Sequence, residues 1–343
     1  MAESPLDLAN QAVAGGRDLT QQQAADALAV IMAGEATEEQ ISELLLGLRA
    51  KGETVDELAG LAETMRSLAT VVRPQRCDLL DTCGTGGGRR TFNISTTAAL
   101  IAAAAGCAVA KHGNRTATGL SGSADVLEAL GARLDLTATE EASLIDEVGF
   151  GFIFAPAHHA ATRYVVPVRK ALGVPTIFNL LGPLTNPAGA RRQLIGVPEP
   201  AVIDLVAGAL SRLGTDHALV VSSEDGLDEI STSAPTQVAE LSEGQIRRYT
   251  LSAEQFGIEP ASDDELSGGG PEENAQIIRQ IFGGEPGPRR EIAALNAGAA
   301  IYVAGQAGSI AEGLELARQT IDSGGAQATL DSFLLRSGEL SAR

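Results

Sequence analysis

The chain has 343 residues, 44% of them hydrophobic, and a formal net charge of −19. The length allows one large domain or two ordinary ones with a substantial core, and the acidic balance argues against nucleic acid and anionic membranes as partners, since both bind basic faces. Three cysteines without C-x-x-C spacing read as buried or half-buried thiols of a reducing compartment; Met1 to Pro5 has no signal-peptide pattern and no run has membrane length, so a soluble cytoplasmic protein is expected.

Residues 20–70 read as successive amphipathic helices. Leu28, Ile31 and Met32 recur at helical spacing. Thr37 to Gln40 and Thr54 to Glu57 each have capping-box order before an apolar stripe, and Gly52 stops the helix between them. Short loops imply an antiparallel helical unit, which could also form a partner-binding face. Residues 71–75 break the pattern and are expected to form a hinge. Beyond them the texture alternates. Strands are expected near Leu79, near Val109, at 152–154, 193–197 and 218–222, with helices from Ser95, at 122–130, 140–148 and 201–213. A helix at 166–172 and a Pro/Gly/Asn-rich segment at 179–189 interrupt this rhythm. Residues 236–241 and 246–251 read as an antiparallel hairpin, 263–270 as a polar, glycine-rich loop that could be mobile, and 273–281, 291–304 and 310–322 as the closing helices.

The most suggestive stretch runs from Asp81 to Gly131. A short strand enters Gly84-Thr85-Gly86-Gly87-Gly88 and leaves through Asn93-Ile94-Ser95-Thr96 into an apolar helix. Glycines admit close backbone approach, and a helix start offers unpaired N–H groups, a combination suited to phosphate. Alone it could be a tight turn; it is neither a Walker A loop nor a dinucleotide fingerprint. Lys111-His112-Gly113-Asn114-Arg115 follows the next strand and should bring positive charge beside it, since parallel sheets bind ligands beyond their strand ends. Asp228-Glu229 after the 218–222 strand could converge on Mg²⁺ with substrate phosphates, or be an acidic turn. Arg169 could hold a carboxylate bidentately, or be a surface or interdomain arginine.

These residues together resemble anthranilate phosphoribosyltransferase. The likeness rests on 81–87, 91–96, 111–115, 121–125, 154–156, 168–169, 178–187 and 226–229, in order over nearly the whole chain. It implies an α/β protein: a small N-terminal helical domain joined by a hinge to a larger α/β domain with a mostly parallel central sheet. The helical domain would comprise 1–73 plus about 165–190, serving dimerisation and the acceptor side. The α/β domain, 76–164 plus 191–343, would bind the sugar diphosphate. The reaction implied is displacement of pyrophosphate from 5-phosphoribosyl 1-diphosphate (PRPP) by the amine of anthranilate, with Mg²⁺, in tryptophan biosynthesis, by a cytoplasmic homodimer. A relative with another acceptor, or a weakly active ligand-binding one, is the alternative. By resemblance, Gly84, Gly87, Gly88, Thr91, Asn93, Ile94, Ser95, Thr96, Lys111, Gly119 and Ser123 hold PRPP. Gly84, Asn114, His159, Arg169 and Pro183 hold anthranilate, and Ser95, Asp228 and Glu229 hold the metal. An aromatic amine is neutral at physiological pH, so His112 is a candidate for orientation more than for acid–base work. Two departures stand out. The family usually has Asp where Gly88 stands, in a loop one residue longer, and Thr118-Gly119 replaces a common serine pair.

Overall fold

A computed structural model describes residues 3–86, 88–116 and 119–341. Helices α1 (Pro5–Ala14), α2 (Gln21–Ala33), α3 (Glu38–Lys51) and α4 (Val55–Ser67) open the chain. Reciprocal capping boxes start the last three: Thr20 with Gln23, Thr37 with Gln40, Thr54 with Glu57. Each such cap is worth about 1 kcal/mol. The sequence reading missed α1, a short alanine-rich helix whose Ser4 cap and proline start are its only strong local signals.

Seven strands follow: β1 (Leu79–Gly84), β2 (Ala108–Gly113), β3 (Phe150–Phe154), β4 (Arg192–Gly196), β5 (His217–Ser223), β6 (Thr236–Ser242) and β7 (Gln245–Leu251). They form one sheet in the order β3-β2-β1-β4-β5-β6-β7, parallel through β5, with the last two pairs antiparallel. The β6–β7 hairpin stands where the alternation places it. Helices α5 (Ile94–Ala104), α6 (Ser123–Leu130) and α7 (Ala138–Val148) connect the first three strands. The chain then crosses β1 to reach β4, so the winding direction reverses between these neighbours. Such a switch point opens a crevice at the carboxyl ends of the strands.

One face of the sheet packs on α5 and the C-terminal helices Pro288–Val303, Ile310–Asp322 and Gly325–Ser341, the last not foreseen from sequence. The other face continues into the core of α1–α4, and Val165, Val168, Ile177, Phe178, Leu181 and Leu184 join that same core. The 178–187 segment is not irregular throughout: it makes a helical turn, Phe178–Leu181, then a 3₁₀ turn, Gly182–Leu184. The expected hinge is held by backbone bonds, Thr70 N to His158 O and Val72 N to Pro187 O. Residues 263–270 also differ from expectation. Ser262 caps a helical turn at Asp263–Leu266, and Leu266 is fully buried, which anchors the segment. At the far edge, buried Glu240 on β6 accepts from Tyr302 Oη at 2.7 Å and Arg247 at 3.2 Å, and faces His217 Nε2 at 3.1 Å.

Candidate active site

The crevice between β1 and β4 is paved with glycine. Gly84 and Gly196 lie side by side in register, and Thr85 N donates to Gly196 O at 2.9 Å. A Cβ at Gly84, Gly88 or Gly196 would collide with Asp228, at its carboxylate in the first two cases and its backbone in the third. The glycine loop therefore wraps this carboxylate, which also accepts from the Gly86 backbone. A side chain at position 88 would have to displace the Asp228 carboxylate. Gly87 lies outside the described residues.

Glu229 accepts from the backbone N–H of Ser95 in the first turn of α5. Burial, and then the charge of Asp228, pushes Glu229 up to about 8; burial also raises Asp228. Two adjacent buried carboxylates resist being ionised together. Two carboxylates are hard-oxygen donors of the kind Mg²⁺ takes alongside phosphate and water, and Ser95, whose backbone N–H meets Glu229, stands next to them. Asn296, which the sequence reading missed, fixes this loop: its amide bonds both the N–H and the C=O of Ile230, each at 2.9 Å.

Lys111 is only 1% exposed. Its ammonium donates to the Thr82 carbonyl and, at 3.3 Å, to Ser95 Oγ. It lies beneath the cradle, and burial lowers its pKa against the pull of Asp81. Asp81, singled out in sequence but given no site role, is the hub below: it accepts from His112 N at 3.1 Å and Asn186 Nδ2 at 2.8 Å. Burial lifts its carboxyl to about 6. Arg115 corrects the expectation of local positive charge. It pairs with Asp125 and Glu128 on α6, the latter through both terminal nitrogens, and stands over Phe154.

The remaining predicted sugar-side residues sort by burial. Ile94 belongs to the core, so only its backbone can serve a ligand. Thr96 is buried with its hydroxyl unpartnered. Thr91 is half-buried, and Ser123 opens α6. Gly119 is exposed, its N–H on Thr116 Oγ1 at 2.7 Å, while Thr118 lies outside the described residues.

The acceptor residues converge from different elements. His112 ends β2 with Nδ1 3.2 Å from the Gly182 carbonyl, which makes Nδ1 the protonated nitrogen and leaves Nε2 buried and unpartnered. His159 meets it edge-on, with centroids 5.2 Å apart, and its own Nε2 is likewise unpartnered. Burial, then mutual repulsion with neighbouring histidines, drops His112 to about 3 and His159 to about 4, so both rings are neutral. Beside them His158 bridges the Thr70 carbonyl at 2.6 Å and Glu141 at 2.7 Å. Pro183 is buried, its carbonyl accepting from Gln193 at 2.8 Å. Arg169 stands 5.6 Å over the Phe178 ring and donates to Asn179 Oδ1 at 3.2 Å. Among the described residues it has no carboxylate partner. Asn114 is exposed, its Oδ1 on Arg115 N at 2.7 Å, and its amino group has no partner among the described residues.

Comparison with known proteins agrees with this layout. Residues 7–69 match the helical bundle domain of a glycosyl transferase family and residues 76–327 its a/b domain. Anthranilate phosphoribosyltransferase of Symbiobacterium thermophilum is 52% identical over 93% of this chain and 94% of its own length. The crystal structure of that enzyme from Thermus thermophilus superposes with a TM-score of 0.91 at 44% identity, covering 96% of this chain and 99% of the other. The Saccharomyces cerevisiae enzyme, 26% identical with a TM-score of 0.88 over 99% of both chains, has been solved in complex with PRPP and Mg, and also with 4-fluoroanthranilate. The chain belongs to the anthranilate phosphoribosyltransferases of this glycosyl transferase family.

Proposed function

We propose that this protein transfers the phosphoribosyl group of PRPP to the amine of anthranilate, releasing pyrophosphate. The observation that carries the reading is the pairing, at one switch point, of a glycine cradle with two dry carboxylates and, across β2, of two neutral histidines with an arginine that lacks a carboxylate partner among the described residues. The sugar diphosphate binds over Gly84, Gly88 and the start of α5, where backbone N–H groups and the α5 dipole meet its charge. Asp228, Glu229 and Ser95 would hold Mg²⁺, which supplies charge neutralisation for the leaving pyrophosphate. Lys111, under Ser95, adds a fixed charge below the same group.

Anthranilate enters beside His112 and His159, where Arg169 takes its carboxylate. The attacking amine is already neutral, so its lone pair is free without prior deprotonation. That lone pair forms the new C–N bond as the C–O bond to pyrophosphate breaks, and one amine proton then passes to solvent. The unpartnered Nε2 of His112 or His159 can accept an amine N–H and orient the lone pair, without acting as a strong base. Residues 1–73 with 165–190 would form the acceptor side and 76–164 with 191–343 the sugar side. Leu8 on α1 and Leu46 on α3, both exposed, support a homodimer through the helical part. No helix among the described residues is long and apolar enough to cross a membrane, in keeping with a cytoplasmic enzyme.

The test is optical. Anthranilate fluorescence should decay when PRPP and Mg²⁺ are added together and stay constant when either is omitted; constancy under all conditions would refute the reading. Competition by nucleobases against anthranilate would instead favour another acceptor.

A further inference from the structure

Asn93 was expected to touch the substrate, yet its side chain is occupied by the protein. Its Oδ1 accepts from Asn274 Nδ2 at 2.9 Å and Ser121 Oγ at 3.1 Å, while its Nδ2 donates to Ser121 O at 3.1 Å. Asn274 sits on the helix Pro271–Phe282, only 1% exposed, and its Oδ1 accepts from Gly269 N at 2.8 Å. The direction of this chain is not arbitrary. A backbone N–H at one end demands an oxygen from Asn274, and a backbone carbonyl at the other demands a nitrogen from Asn93. Both amides are thereby fixed, with Asn274 as the link that sets the polarity.

The chain ties three pieces together. Asn93 stands at the N-cap of α5, whose first turn carries Ser95 and Thr96. Ser121 precedes α6, which opens with Ser123. Gly269 belongs to the stretch behind Phe92, where a Cβ at Gly268 would strike both Phe92 and Asn274. Ser267 O is held in turn by Arg289 at 2.9 Å. The two helix starts are joined directly by Asn93 and Ser121, and that junction is braced by Asn274, 181 positions away in sequence from Asn93.

Resting on the functional reading above, we propose that Asn274 is a positioning residue for PRPP: it acts through Asn93 and Ser121 to hold the α5 and α6 N-termini at the separation the ligand needs. It touches no acceptor residue, so the anthranilate side is independent of it.

The experiment measures binding of PRPP with Mg²⁺, and separately of anthranilate, by calorimetry on the full-length wild type, Asn274→Ala and Asn274→Asp. Asn274→Ala should weaken PRPP about tenfold and anthranilate less than about twofold, as expected for loss of a buried orienting bond. Asn274→Asp keeps the shape and the acceptor for Gly269 but can donate to Asn93 only when protonated. Its PRPP affinity relative to wild type should therefore climb as pH falls from about 8.5 to about 6 while its anthranilate affinity relative to wild type stays flat; a purely structural residue would move both together. If Asn274→Ala does not fold, Asn274→Asp carries the test alone. Variants that bind PRPP as the wild type does, or that lose both ligands equally without pH recovery, overturn the inference while the functional reading stands. A wild type that binds no PRPP overturns both.

Discussion

The two halves of the site are built on opposite principles. On the sugar side the charged and amide groups are engaged: Asp228 in the glycine loop, Glu229 on the α5 backbone, Lys111 between Thr82 and Ser95, Asn93 between Asn274 and Ser121. On the acceptor side the groups are held at one end and open at the other, as with His112 Nε2, His159 Nε2 and Arg169. A highly charged ligand that loses a charged leaving group needs fixed dipoles and a metal, and preorganisation carries the catalysis. A neutral nucleophile needs only a shaped, dry slot with one cation for its carboxylate. On the proposed reading, the contrast accounts for how a chain of net charge −19 could bind a polyanion: the attraction would come from oriented backbone, one buried lysine and a Mg²⁺ ion, not from surface charge.

The contrast can be broken hardest at the metal. Asp228→Asn with Glu229→Gln should lower kcat/KM by about 10²–10³-fold, as removal of transition-state charge stabilisation does, while anthranilate binding persists; steady-state kinetics and calorimetry check both. Arg169→Ala should raise KM for anthranilate about tenfold or more and leave KM for PRPP nearly unchanged. Equal shifts would mean Arg169 serves no carboxylate. Gly88→Asp should lower activity, because the new side chain must displace Asp228; a gain in turnover would show that the family's usual aspartate is missing here at a cost. The smallest effect concerns pH. His112 and His159, neutral above about 4, should show no titration near the ordinary imidazole value of about 6.5 when their ring protons are followed by NMR against pH.

A control lies far from the site. Glu240 is held down to about 2, first by His217 and then by Tyr302 and Arg247 against the cost of burial. A depressed carboxyl stabilises the fold above its unfolded pKa of about 4.3 and loses that contribution as pH falls toward 2. Glu240→Gln should flatten the fall in Tm across that window without changing either substrate KM.

The contrast also separates what could be read from the chain. The glycine run, the helix start at Asn93 and the Asp228-Glu229 pair are contiguous motifs with local physical causes, and they sit where their spacing implies. Helices with capping boxes were equally legible. What escaped was non-local. Asp81 gains its meaning from Asn186, 105 positions on, and Asn274 from Asn93. Asn274 did leave a trace: it shares an apolar stripe with Ile277, Ile278 and Ile281, and a polar residue on such a stripe must find a buried partner. Arg115 misled because its partners Asp125 and Glu128 appear only once α6 folds back beside it.

The most direct test of the central claim is a crystal structure of the wild-type protein with PRPP and Mg²⁺. The account predicts diphosphate density over the Gly84 turn and the first turn of α5, with the metal on Asp228 and Glu229. Ordered PRPP elsewhere, with those carboxylates still on the Gly86 and Ser95 amides, would contradict it.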